Sequence, residues 1–174
     1  FLNEFVNRAR QIKIGNPEED TCEFSSMISE KEAKRVESWI SEAVEQGATL
    51  ILGGNRVGNL IEPTILTDTN AGMKVVSEEV FGPVVLIEKY NEESEAIELV
   101  NQGKFGLQAS IFSNNHSFIK KAFNLLEVGA VIVNESTTFR VDHMPYGGVK
   151  DSGTGREGVK YAMQDMLEMK LLVD

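Results

Sequence analysis

Two adjacent carboxylates and an aromatic residue lie directly before an apolar run in this sequence. The stretch 78–83 reads Glu-Glu-Val-Phe-Gly-Pro, and the run 84–87 reads Val-Val-Leu-Ile. Gly and Pro end regular structure, and a short apolar run after them predicts a strand that is buried on both faces. Glu79 and Phe81 are therefore expected at the entrance of a rigid strand, where loop residues commonly bind ligands. The alternative is a solvated turn without a function.

A single arginine follows another apolar run. Arg140 ends the irregular stretch 135–140, which comes after a predicted strand at 130–134 and before a glycine-rich turn. A guanidinium group that faces a pocket can pair in a bidentate way with a carboxylate, phosphonate or phosphate. Arg140 is therefore a candidate for binding an anionic group. The alternative is a surface ion pair with Asp142 or Glu135.

The cysteine and the two histidines predict no catalytic or metal site. Cys22 is the only cysteine, so no intrachain disulfide can form, and the acidic residues in the stretch 18–23 disfavour its thiolate. Neither His116 nor His143 has a second ligand-type residue at metal-binding spacing. We therefore expect neither a nucleophile nor a metal site in this chain.

Predicted strands and amphipathic helices alternate along the chain. Apolar residues at three- and four-residue spacing predict helices at 2–12, 93–101 and 117–128. A further helix is predicted to start at the capping box that Ser29 and Glu32 form and to end at Gly47. Apolar or alternating runs predict strands at 49–52, 60–66, 84–87, 107–112, 130–134 and 166–173. This alternation predicts an α/β fold, with a mostly parallel sheet that is flanked by helices on both faces.

Two of these strands are separated by a glycine-rich loop, from Gly53 to Gly58. The strands at 49–52 and 60–66 are therefore expected to form a hairpin. Pro63 predicts that the second of them is an edge or bulged strand, because proline has no N–H for a central ladder.

The stretch 78–83 is similar to the E-E-x-F-G-P signature of the aldehyde dehydrogenase family. Five further matches follow the order of the family between Leu2 and Val173, at 16–17, 62–64, 101–107, 129–134 and 145–153. Six matches in one order are not expected by chance. The chain is therefore identified as a member of this family, and it resembles the C-terminal part of the family's catalytic domain.

The resemblance implies a site for NAD or NADP in the intact parent protein. In the family, the second glutamate of the signature accepts hydrogen bonds from the nicotinamide ribose, and the phenylalanine flanks the nicotinamide. These roles carry over to Glu79 and Phe81, whereas Glu78 is assigned to the solvated turn. A carboxylate can accept from two vicinal hydroxyls, and an aromatic face excludes water beside a hydride donor. The family's nucleophilic cysteine, general-base glutamate and dinucleotide-binding domain are expected upstream of Phe1, so this chain is expected to be inactive alone.

The resemblance also implies a substrate class and an assembly. The stretch 140–145 resembles family members that act on small anionic or hydroxylated aldehydes, among them lactaldehyde, non-phosphorylating glyceraldehyde-3-phosphate and phosphonoacetaldehyde dehydrogenases, with Arg140 as the substrate-binding residue. In the family, the terminal strand adds to the sheet of a neighbouring subunit. We therefore expect residues 1–165 to belong to the catalytic domain and residues 166–174 to form an oligomerisation strand. The parent is expected to be a homo-oligomer, a dimer or a tetramer.

The composition argues against several other functions. The net charge of −10 disfavours nucleic-acid and anionic-lipid partners, and no apolar run approaches the length of a membrane helix. The single cysteine suits a reducing compartment, so a cytoplasmic protein is expected. Two alternatives stay open: a non-catalytic α/β binding module that keeps the family's fold, and an acidic protein-interaction domain with coincidental motifs.

Overall fold

The computed structural model describes residues 1–174, which divide into the units Phe1–Lys89 and Tyr90–Asp174. The first unit contains α1 (Leu2–Ala9), α2 (Glu30–Glu45), β1 (Thr49–Leu52), β2 (Arg56–Val57), β3 (Leu60–Ile61), β4 (Thr64–Thr67), α3 (Lys74–Ser77) and β5 (Val84–Leu86). The second unit contains α4 (Glu93–Gln102), β6 (Phe105–Gly106), β7 (Gln108–Ile111), α5 (His116–Leu125), β8 (Ala130–Val133), β9 (Val149–Lys150) and α6 (Val159–Asp165). The predicted α/β class is confirmed.

The long helix α2 begins at the predicted capping box. The side chain of Ser29 accepts a hydrogen bond from the backbone N–H of Glu32 at 3.3 Å, which satisfies one of the free donors at the helix start. The helix is followed by Gly47, whose φ of +107° suits glycine. Between these ends α2 buries the apolar stripe Ala33, Val36, Ile40 and Ala43.

The core of the first unit joins this stripe to a three-stranded sheet in the order β1, β4, β5. β1 pairs with β4 antiparallel, and β4 pairs with β5 parallel, with Thr64 opposite Val84. Ile61, Leu66 and Met73 are almost completely buried in this core. The stretch 78–83 therefore leads into β5 beside this core, against which Val80 and Val84 pack.

Two predictions for these strands need correction. Between β1 and β4 the chain forms a separate antiparallel pair, β2 with β3, and Pro63 divides β3 from β4 because it has no N–H for the ladder. The hairpin of the long strands is therefore interrupted. The strand after Pro83 is not buried on both faces, since Val85 is 42% exposed. The physical reason is that Val84 and Leu86 pack against the core, so Val85 points to the opposite face of the sheet, which is covered only in part.

The second unit contains a strand-helix-strand arrangement. β7 and β8 pair in parallel from Gln108 with Ala130 to Ile111 with Val133, and α5 connects them. The side chain of Asn115 caps α5 by accepting hydrogen bonds from the N–H groups of Ser117 and Phe118. A small core forms between α4, β7 and α5 around three buried residues, Ile97, Ile111 and Ala122. β6 and β9 form a further antiparallel pair.

Residues 167–174 have no regular structure in this single chain. Their apolar side chains are exposed, with Leu167 at 68% and Leu172 at 88%. A strand needs a neighbour to exchange hydrogen bonds with, so pairing of this segment with a second subunit stays a prediction. None of the six helices combines the length and apolar composition that crossing a membrane requires.

Candidate functional site

The predicted cofactor residues lie on the loop between α3 and β5, here called the signature loop (residues 78–83). Glu79 is exposed, and Phe81 is 74% exposed. Phe81 also has a φ of +46°, a left-handed conformation that bulky residues seldom adopt. Backbone strain of this kind concentrates at ligand sites, where the surrounding structure holds it in place. The loop therefore presents a carboxylate and an aromatic ring to solvent in a fixed conformation.

Both neighbours of Phe81 are held by helix α2. Nη2 of Arg35 donates a hydrogen bond to the carbonyl oxygen of Val80 at 2.8 Å. At Gly82, a Cβ would lie 3.1 and 3.2 Å from the two Cγ atoms of Val36, so only glycine fits without movement. Pro83 then joins the sheet, because its carbonyl accepts from the N–H of Thr64 at 2.8 Å.

A groove of about 750 Å³ lies beside Phe81. Phe24, Met27 and Ile28 contribute apolar walls, and Glu32 and Arg35 contribute charged groups. A mostly apolar cleft with a few fixed polar groups is typical of small-molecule sites. Phe81 lines this groove and Glu79 does not, so the predicted contacts of the two residues with a nicotinamide and its ribose stay a prediction.

Arg140 lies in the second unit, in a stretch without helix or strand. Its Nη2 donates to Oε2 of Glu157 at 2.8 Å, and its Cζ lies 4.4 Å from the centroid of the Tyr146 ring. The predicted alternative was an ion pair with Asp142 or Glu135. Arg140 does form an ion pair, but its partner is Glu157. Glu157 takes this place because the chain folds back after the glycine turn and forms a β-bridge between Tyr146 and Glu157.

The surroundings of Arg140 keep it charged and accessible. The hydrogen bond to Glu157 raises the pKa of Arg140, and the charges of Glu157, Tyr146 and Asp142 add to this against the opposing effect of burial. The side chain is 41% exposed, so part of the guanidinium can reach an incoming anion. Arg140 can therefore bind an anionic group while Tyr146 supports its plane.

The end of strand β8 is held by an amide side chain. Asn134 has a φ of +55°, its Oδ1 accepts from the N–H of Ser113 at 2.9 Å, and its Nδ2 donates to the Ser113 carbonyl at 3.0 Å. These bonds join the ends of β7 and β8 directly before the stretch that carries Arg140. Cys22 is half-buried, and its thiol donates a hydrogen bond to the carbonyl of Phe24 at 3.3 Å.

Arg35, Tyr146 and Glu157 were not predicted from the sequence. A signal for Arg35 exists, since Glu32 and Trp39 lie three residues before and four residues after it on a predicted helix. That spacing predicts its contacts along the helix but not the one with Val80. For Tyr146 and Glu157 no local pattern indicates a contact with Arg140.

Residues 1–172 match the sequence model of the Aldehyde dehydrogenase family. A curated relative, the 3-sulfolactaldehyde dehydrogenase of Priestia megaterium, is 49% identical over 99% of this chain and 36% of its own length.

Two solved structures are similar to the whole chain. Aldehyde dehydrogenase 21 from Physcomitrella patens, in complex with the reaction product succinate, has a TM-score of 0.96 and 48% identity, and the match covers 98% of this chain and 36% of that one. The glyceraldehyde-3-phosphate dehydrogenase GapN from Methanocaldococcus jannaschii, complexed with NADP, has a TM-score of 0.90 and 41% identity, with 95% and 36% covered. The chain thus spans about a third of the length of the proteins that it matches.

Proposed function

The chain belongs to the aldehyde dehydrogenase family, and from this we propose that it is the C-terminal part of the catalytic domain of an enzyme that oxidises a small aldehyde to a carboxylic acid with NAD or NADP. The membership confirms the family that residues 78–83 indicate. The observation that carries the proposal is the signature loop, which holds Phe81 in a left-handed conformation and exposes Glu79 two residues before it.

The cofactor site of the proposal uses both residues. The Glu79 carboxylate accepts hydrogen bonds from the hydroxyls of the nicotinamide ribose, and the Phe81 ring covers one side of the nicotinamide and excludes water there. A bound nicotinamide supplies the acceptor for the hydride. The groove beside Phe81 supports the place of the ring, and the NADP complex of the similar GapN structure supports a nicotinamide cofactor.

Arg140 is proposed to bind an anionic group of the aldehyde. Three named compounds of the similar proteins support this: 3-sulfolactaldehyde carries a sulfonate, succinate carries carboxylates, and glyceraldehyde 3-phosphate carries a phosphate. Each has an anionic group at the end of a short carbon chain. A guanidinium that is charged, partly exposed and supported by an aromatic ring suits such a group.

The remaining parts of the proposal concern the intact protein. The nucleophilic cysteine and the general base are assigned to sequence upstream of this chain, so residues 1–174 alone are expected to have no activity. Residues 166–174 are proposed as the oligomerisation strand of a cytoplasmic dimer or tetramer. The exposed apolar side chains of that segment support this role.

The function can be tested on the intact protein with two glutamate variants. Glu79→Gln should slow the first formation of reduced cofactor far more than the later hydrolysis of the acyl-enzyme, because it weakens the hold on the ribose next to the nicotinamide. Glu78→Gln is the matched control and should leave that first phase unchanged.

Rapid-mixing absorbance measurements follow both phases. An unchanged first phase in Glu79→Gln would contradict the assignment of this residue. Absence of aldehyde-dependent cofactor reduction in the wild type would instead favour a non-catalytic binding module.

A further inference from the structure

Helix α2 contacts the signature loop on both sides of Phe81. The Arg35 guanidinium binds the carbonyl of Val80, and the Val36 side chain packs so closely against Gly82 that a Cβ there would fit only with movement. Two consecutive residues of one helix thus hold the residues that flank Phe81. The ring of Phe81 projects from between these two contacts and is exposed.

The Arg35 contact is the more specific of the two. Its guanidinium has three partners: Nη2 donates to Val80, Nε donates to Glu32 at 2.7 Å, and the Trp39 ring lies 4.4 Å from Cζ. The side chain is only 26% exposed. A planar fork with several donors can satisfy all of these partners at once, whereas the ammonium group of a lysine cannot. The arrangement therefore determines both the position and the plane of the Arg35 head group.

The side chain of Val80 strengthens this connection, because it packs against the hydrophobic core of the first unit. With its side chain in the core and its carbonyl bound to Arg35, Val80 has little freedom to rotate. The backbone of Glu79 and Phe81 is attached on its two sides. Any change in the Val80 peptide plane therefore changes the directions of both proposed cofactor residues.

We infer that Arg35 is a positioning residue for the nicotinamide half of the cofactor site. The inference rests on the proposed function, because it assumes that Glu79 and Phe81 contact the cofactor. Arg35 acts through the Val80 carbonyl, and no direct contact with the cofactor is needed. Its loss should impair the nicotinamide half of the site and leave the adenosine half unchanged.

A matched control variant exists in the same unit. Arg56 also binds a glutamate of α2, Glu37, at 2.6 Å and a backbone carbonyl, that of Gly58, at 2.7 Å, and its side chain is 19% exposed. It holds the β2–β3 hairpin and not the signature loop. Arg56→Met therefore removes contacts of the same kind from the same helix without touching residues 78–83.

The experiment uses the intact protein with Arg35→Met, Arg35→Lys and Arg56→Met. We expect Arg35→Met to slow hydride transfer about tenfold or more and to weaken the binding of the oxidised cofactor, because a charged hydrogen bond contributes a factor of this size. The affinity for the adenosine half should be unchanged. ADP probes this half if the wild type uses NAD, and 2′,5′-ADP probes it if the wild type uses NADP. Arg35→Lys should resemble Arg35→Met, since it keeps the charge and loses the fork.

The control separates positioning from general stability. Arg56→Met should lower the unfolding temperature about as much as Arg35→Met and leave hydride transfer at the wild-type rate. Equal loss of hydride transfer in Arg35→Met and Arg56→Met, or loss of ADP affinity together with cofactor affinity, would overturn the inference. If Arg35→Met does not fold, Arg35→Lys carries the same comparison.

Failure of the inference is distinguishable from failure of the proposed function. If Glu79→Gln and Phe81→Ala slow hydride transfer but Arg35→Met does not, Arg35 is not a positioning residue while the cofactor site stands. If all three variants keep the wild-type rate, the assignment of Glu79 and Phe81 to the cofactor site is wrong, and the inference about Arg35 is wrong as well.

Discussion

Adding one methyl group at Gly82 should disturb the signature loop measurably. In Gly82→Ala the new Cβ would lie 3.1 and 3.2 Å from the Cγ atoms of Val36 and 3.6 Å from Cε of Met27. Val36 is completely buried and β-branched, so its side chain cannot rotate away inside the helix. The backbone of the loop must move instead. Overpacking of this kind costs roughly 1–3 kcal/mol of unfolding free energy.

A second substitution should relieve part of that cost. Val36→Ala alone removes two buried methyl groups and should destabilise the protein by roughly 1–3 kcal/mol, through lost burial and the cavity that it leaves. In the double variant the methyl group added at position 82 has room, because the two Cγ atoms that it would meet are absent. We therefore expect the double variant to be less destabilised than the sum of the single variants by roughly 1 kcal/mol.

Equilibrium unfolding in urea of the wild type and the three variants measures this coupling. Gly15→Ala is the matched control, because no heavy atom lies within 4 Å of the position of its Cβ. That variant should be neutral or slightly stabilising, by up to about 1 kcal/mol. Single-variant effects that add within about 0.5 kcal/mol would refute the close contact between α2 and the signature loop.

Three further outcomes follow from the structure. Arg140→Ala should lower kcat/KM at least about tenfold for an anionic aldehyde and little for an uncharged aliphatic one; equal losses, measured with both substrates, would contradict anion binding. Deleting Leu167–Asp174 should abolish the oligomer in light scattering, and a native assembly would contradict the role of this segment. Hydrogen bonds from Thr49 and Thr67 lower the pKa of Asp68 below its ordinary value of 3.8. The stability that these bonds add is therefore present above pH 3.8 and is lost as the pH falls through the lower pKa of the folded state. Thr49→Val should raise this pKa in an NMR titration, and an unchanged value would count against the contact.

Local sequence predicted most of the elements. The capping box at Ser29 and the glycine at position 47 bracket α2 as expected, because both act within one turn of the helix. Helix α1 ends at Ala9, three residues earlier than its apolar pattern indicates. The end of a helix depends on where the chain turns next, and after α1 it turns toward a β-bridge between Ile14 and Phe24. The spacing of apolar residues does not indicate that Phe24 is the partner of Ile14.

The sequence by itself determined the alternation of strands and helices, the family, and the loop that carries Glu79 and Phe81, because these depend on residue types at short spacing. Only the tertiary structure decided that Arg35 binds a carbonyl 45 residues away, that Arg140 pairs with Glu157, and that β5 is an exposed edge. The physical reason is that a guanidinium or a strand edge can form hydrogen bonds with many partners of similar chemistry. Which of them it meets depends on how distant segments pack, and that packing is a property of the whole fold.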